Sequence, residues 1–217
     1  MDAERFIAEL SALFADFPHS QRPDGRRFDD IVAAVPNYST ENVLALLNLA
    51  ARVLPPSESY VEVGSYAGAS LIGAMRGNDE RDFVAIDRFD WLARERFEAN
   101  LASFGATGAT IMQGDAFEVL ESDALDDRSV GVLFWDADHS HAGQLRGLRA
   151  IERHLAPGAL VICDNADGAG VSAAIGDWLR ERARTRLVLD LGGHTRGQPW
   201  WHDGIRAVAW GDRAAGN

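Results

Sequence analysis

The sequence predicts an α/β protein: a Rossmann-like, seven-stranded, mostly parallel sheet with an antiparallel edge strand and helices on both faces. Three observations predict it. From Tyr60 onward, short apolar runs of strand length alternate with stretches of helical length. The run Tyr60–Val63 passes through a turn holding Gly64 and Gly68 into the helical stretch Ala69–Met75, the first half of a β-α-β unit. The last two strand-like runs have no helix between them, so they are expected to pair antiparallel at one edge.

Taken in order, Asp2–Phe17 places Phe6, Ile7, Leu10, Leu13, Phe14 and Phe17 at helical spacing. That stripe has to be covered by the chain's own core, by a second copy, or by serving as a lid. Pro18–Arg27 is a polar loop with turn residues Pro23, Asp24 and Gly25. Phe28–Val35 predicts a short helix ending before Pro36. Ser39 or Thr40 caps a helix over Glu41–Leu54, stopped by Pro55-Pro56. The domain organisation expected is therefore an N-terminal helical segment, 1–38, and a Rossmann-like domain, 39–217. Within the latter, strands are expected at Tyr60–Val63, Asp82–Ile86, Ala109–Gln113, Val130–Trp135, Ala159–Cys163, Leu187–Leu191 and Ile205–Trp210. Helices are expected at Ala69–Met75, Trp91–Phe104, from Ala116 to about Leu125, at Gly143–Leu155 and at Ala169–Arg184, with a frayed tail after Trp210.

Composition narrows the function. The formal net charge is −12, which argues against nucleic acid as a partner because phosphate backbones need a basic surface. All 21 basic residues are arginine, so no lysine is available as a catalytic base. One cysteine, Cys163, rules out an internal disulfide and fits a reducing cytoplasm. No signal pattern and no apolar run of membrane-spanning length is present, so no membrane partner is expected.

In open parallel sheets, ligands sit beyond the carboxyl ends of the strands. Five such ends here carry Glu62/Gly64, Asp87, Asp115, Asp136 and Asp164. One acid at a strand end is usually a helix cap, but five along one edge exceed what capping alone explains. The spacing Glu62-x-Gly64-x-x-x-Gly68 departs from the Gly-x-Gly-x-x-Gly of dinucleotide folds and has no basic residue in the turn. It suits a ligand rich in hydroxyls and positive charge rather than a pyrophosphate. Asp87 stands where an acid takes both hydroxyls of a ribose.

This pattern resembles the class I S-adenosylmethionine (SAM)-dependent methyltransferases over roughly Ser39–Ala169. Glu62-Val-Gly64-Ser65-Tyr66-Ala-Gly68-Ala-Ser70 resembles the glycine motif that holds the methionine part of the cofactor. Asp87, followed by Arg88, resembles the ribose acid, and Gly114-Asp115-Ala116 the adenine-contacting turn. Leu155-Ala-Pro157-Gly158 resembles the usual entry to strand five. Within the class the chain is most similar to metal-dependent small-molecule O-methyltransferases, which carry an Asp after strand four and Asp-Asn after strand five. Asp136, Asp164 and Asn165 match those positions. Asp136-Ala-Asp138-His139-Ser140 looks closer to a bacterial branch acting on antibiotic sugars and related metabolites, with histidine where the catechol type has lysine.

The resemblance implies a one-domain enzyme that moves a methyl group from SAM to a hydroxyl of a small metabolite. Asp136, Asp164 and Asn165 would supply oxygen ligands to Mg²⁺ or another divalent cation; the alternative is that these residues cap the helices that follow. His139 is the candidate general base, with His141 as a supporting group. Asp138 is expected to position the cofactor or His139. Tyr38, Trp200, Trp201 and His202 are candidates for shaping the acceptor pocket. His19, His154 and His194 are expected at the surface, and Cys163 as an inert buried thiol. A homodimer is expected from the resemblance and the N-terminal stripe. The rival readings are a metal-independent N- or C-methyltransferase and a SAM-binding protein with no transfer activity; an NAD-dependent oxidoreductase is disfavoured by the missing Gly-x-Gly-x-x-Gly.

Overall fold

The computed structural model describes residues 2–25, 27–194 and 198–211. Seven strands form one sheet: β1 (Ser59–Val63), β2 (Asp82–Asp87), β3 (Thr110–Gln113), β4 (Val130–Trp135), β5 (Leu155–Cys163), β6 (Thr185–Leu191) and β7 (Ile205–Trp210). Their spatial order is β3-β2-β1-β4-β5-β7-β6. β1 to β5 pair in parallel, and β7 runs antiparallel to both β5 and β6. The antiparallel pair closes the expected edge, with one refinement. β7 is inserted one strand in, so β6 is outermost and runs in the direction of β1–β5.

Among the described residues, eight α-helices cover the sheet: α1 (Ala3–Ser11), α2 (Asp29–Ala34), α3 (Glu41–Arg52), α4 (Ala69–Met75), α5 (Arg94–Ser103), α6 (Ala116–Glu121), α7 (His141–Ile151) and α8 (Ala169–Glu181). Alternation along the strands sorts the core into two layers. Tyr60, Phe83, Ala85, Phe134, Leu160 and Ile162 face the layer of α1–α5. Val61, Val63, Val84, Ile86, Trp135, Val161 and Cys163 face α6–α8. The N-terminal stripe is covered from within: Phe6, Leu10 and Phe14 are buried with Leu44, Leu47 and Trp201 in the first layer. Helix α1 ends at Ser11, short of the expected Phe17. Leu13, Phe14 and Phe17 still pack inward, from turns.

The parallel ladder continues one residue past each strand end, and that continuation builds the site. Gly64 N–H donates to the Ile86 carbonyl (2.9 Å), Gly114 to Asp87 (3.0 Å), Asp136 to Val63 (2.9 Å) and Asp164 to Trp135 (3.0 Å). The first residues beyond β1, β3, β4 and β5 are thereby held in one row with the end of β2. Gly64, at φ +91°, is needed for this row: a Cβ there would lie 1.9 Å from the Asp136 carbonyl oxygen. The neighbouring strand end by itself requires a glycine here. The expected frayed tail beyond Gly211 lies outside the described residues. Among the described residues no helix is long and apolar enough to cross a membrane.

Candidate active site

A cavity of about 350 Å³ opens beyond β1, β2 and β4. Its walls bring together Gly64, Tyr66, Asp87, Arg88, Asp115, Ala116, Asp136 and Asp138 of the expected set, with Ile86, Phe117 and Trp135 as apolar surface. A smaller hollow of about 50 Å³ adjoins it, lined by Tyr38, Gly64, Ser65, Tyr66, Ser70, Asp136 and Asp164. Tyr66, at φ +47°, borders both.

Asp87 shapes the glycine turn directly. Its Oδ2 accepts from Tyr66 N–H (2.8 Å) and its Oδ1 from Phe89 N–H (2.6 Å). Each oxygen keeps a further lone pair for a ligand hydroxyl. Asp115 caps α6, accepting from Phe117 and Glu118 N–H. Arg88 stands 3.6 Å from Asp115 and 2.8 Å from Asp90. Asp138 accepts from Ser140 N–H at 2.8 Å, and Ser140 caps α7.

Glu62 is fully buried, on the face of β1 that meets α4. Ser70 Oγ donates to it at 2.9 Å and Tyr60 OH at 3.3 Å. Burial pushes its carboxyl up to about 8, against these hydrogen bonds. Gly68, the N-cap of α4 at φ +91°, lets the turn pass close to Leu101 and Phe97 of α5.

Two histidine–aspartate pairs occupy the β4 and β5 ends. His139 Nε2 lies 3.2 Å from Asp136 Oδ1, and that hydrogen bond raises the proton affinity of the imidazole. His202 Nδ1 lies 3.8 Å from Asp164 Oδ2, and its interaction with that carboxylate raises its proton affinity likewise. Asp164 is itself buried, and desolvation raises its carboxyl, with Asp136 adding like-charge repulsion. Asn165, at φ +54°, turns its amide Nδ2 toward Asp203, at 3.5 Å. Neither Asp136 nor Asp164 is ion-paired with an arginine among the described residues. Among the described residues, His, Cys, Asp and Glu side chains alone assemble no group of three suited to a metal ion.

The remaining candidates separate. Tyr38 is brought to the hollow, 75% exposed, with its ring centroid 5.8 Å from that of Tyr66. His141 is not: its Nε2 lies 2.7 Å from Asp177 on α8. Trp201 is fully buried and lines neither cavity; it packs on Phe14 and Phe17 and donates to the Pro18 carbonyl at 2.9 Å. Trp200 is half-buried against the same core, and its carbonyl accepts from Thr40 Oγ1 at 2.8 Å. These two tryptophans hold the loop that presents His202 rather than form its open face. His154, expected at the surface, is buried, with Nε2 3.3 Å from the Leu120 carbonyl. An imidazole has enough apolar area to pack once its nitrogens have partners. Cys163 is buried and its thiol is pushed up to about 12, as an inert core thiol requires. Sequence reasoning missed the walls Phe117 and Trp135, although strand alternation and the step from Asp115 into α6 both mark them.

Comparison with known proteins agrees with this architecture. Residues 61–166 match a family described as a methyltransferase domain. The match spans just under half of the chain, and the sheet has the fold of the class I SAM-dependent methyltransferases. The O-methyltransferase TomG of Streptomyces achromogenes, involved in tomaymycin synthesis and solved with SAM, is 20% identical, with 97% of this chain and 99% of that one covered and a TM-score of 0.66. The SAH-bound Podospora anserina methyltransferase PaMTH1 is 16% identical, with 97% and 95% covered and a TM-score of 0.62. An O-methyltransferase from Bacillus cereus in complex with SAH is 13% identical, with 95% and 89% covered and a TM-score of 0.58. No curated protein matches the chain.

Proposed function

We propose that the protein transfers a methyl group from SAM to a hydroxyl of a small-molecule acceptor. The observation that carries this reading is the shared border of the two hollows. The larger takes the cofactor beside Asp87; the smaller, between Tyr38, Tyr66, Asp136 and Asp164, takes the acceptor. A methyl group at the Tyr66 boundary would face both. The acceptor oxygen forms a bond to the methyl carbon while the carbon–sulfur bond breaks, and its electron pair neutralises the sulfonium. The acceptor's proton passes to His139. With Nε2–H donating to Asp136 across the 3.2 Å contact, Nδ1 would carry the free lone pair that takes the proton. His202 closes the other side of Asp164.

Asp136, Asp164 and the amide oxygen of Asn165 are the residues that would hold a divalent cation. The donor set fits one: all are hard oxygen donors, and among the described residues the buried Asp164 carboxyl has no arginine partner. Such an ion would lower the pKa of a coordinated hydroxyl and orient its oxygen. The acidic walls suit a sulfonium, and the product thioether carries no charge for them to hold.

The test is transfer of labelled methyl from SAM to a panel of hydroxylated metabolites, with and without EDTA. Turnover that falls at least tenfold with EDTA and returns with Mg²⁺ is expected, and His139→Ala should lose about 10²–10⁴-fold. Undiminished turnover in EDTA would contradict the metal, and turnover only on amines or carbon acids would contradict O-methylation.

A further inference from the structure

Trp91 is 92% exposed, yet it lines the larger cavity. Trp135, Trp178 and Trp201 are fully buried, and Trp200 and Trp210 are half-buried. A lone exposed aromatic on a protein surface needs no explanation; one held at a cavity mouth by anchored flanks does. On one side, Phe89 sits at φ +59°, buried, its ring centroid 5.1 Å from that of Phe97 and its N–H bonded to Asp87. On the other, Leu92 packs against the core just before α5 begins. The indole is thus presented at the rim with almost no cover from the described residues.

We propose that Trp91 is the aromatic cover of the cofactor's purine, an inference that rests on the SAM reading above. The purine is the uncharged, planar part of that cofactor. The cavity offers a matching apolar floor in Ile86, Phe117 and Trp135, whereas its acids suit the ribose and the cationic end. An indole stacked on a base contributes through its π-face and asks for no particular hydrogen-bond pattern. Trp91 therefore governs how tightly the nucleoside half is held, for substrate and product cofactor alike, without touching the reacting atoms.

The experiment is calorimetric titration of wild type, Trp91→Ala and Trp91→Phe with SAM and with SAH, alongside acrylamide quenching of tryptophan emission. Trp91→Ala is expected to bind both about tenfold more weakly, and Trp91→Phe to stay within about threefold of wild type, because a phenyl ring restores most of the stacking surface. Saturating SAH should shield the most accessible tryptophan of wild type from acrylamide, and Trp91→Phe should lack that component. Wild-type affinity in Trp91→Ala, or acrylamide access unchanged by SAH in wild type, would overturn the inference alone. Absence of binding to wild type would overturn the cofactor reading together with it.

Discussion

At the scale of the residue, Glu62 sets a cost that the fold carries until something compensates it. An unfolded glutamate loses its proton near its ordinary value of 4.5, whereas in the folded chain Glu62 keeps its proton up to about 8. Between those values the folded state binds one more proton than the unfolded state, so stability falls as pH rises, by about 1.4 kcal/mol per pH unit. Below 4.5 both states hold the proton and the penalty vanishes. Glu62→Gln should remove this slope, measured as urea midpoints from pH 5 to 8. Parallel profiles for the two proteins would show that the burial is compensated within the fold. Much of the site was legible residue by residue, because acids after apolar runs mark strand ends whatever the packing above them. The roles of Trp201 and His154 were not. A tryptophan in a loop gives no sign of whether its indole opens to a pocket or anchors the loop from beneath.

At the scale of the element, the loop between β6 and β7 is pinned at several points. Asp167 Oδ2 accepts from Gly193 N–H at 2.8 Å, and Asp167 N–H donates to the Asp203 carbonyl at 3.0 Å. Thr40 holds the Trp200 carbonyl, and Trp201 reaches the Pro18 carbonyl. The N-terminal segment thus supports the loop that carries His202. Trp201→Ala should cost roughly 3–5 kcal/mol of stability by leaving a core cavity. Trp201→Phe should cost about 1 kcal/mol through the unpaired Pro18 carbonyl and the smaller ring. Chemical denaturation of both variants checks this, and near-wild-type stability of Trp201→Ala would contradict the anchoring role. Element positions followed from local pattern wherever turn and apolar run agreed: α4, β4 and β7 have the bounds the sequence predicts. They drifted where one pattern served two structures. Leu13, Phe14 and Phe17 fit helical spacing but are buried from turns. Helix α8 stops at Glu181, where Arg182 turns to extended backbone and bonds Glu152.

At the scale of the whole molecule, the sheet sorts its side chains into two cores and leaves its carboxyl edge to chemistry. The insertion of β7 between β5 and β6 was not legible, because sequence order implies that two strands pair but not which lies outside. That insertion also brings the β7 end of the loop beside β5, so that Ala166 N–H meets the Gly204 carbonyl at 2.9 Å and His202 reaches Asp164. The long-range contacts of the site thus come from topology, while its acids come from local sequence. The central claim, that this edge is a SAM site, is tested most directly by calorimetric titration of wild type and Asp87→Ala with SAM. Wild type should bind one SAM per chain, and Asp87→Ala at least about tenfold more weakly, since it loses the ribose acceptor and the two N–H bonds that shape the turn. Failure of the folded wild-type protein to bind SAM would contradict the account.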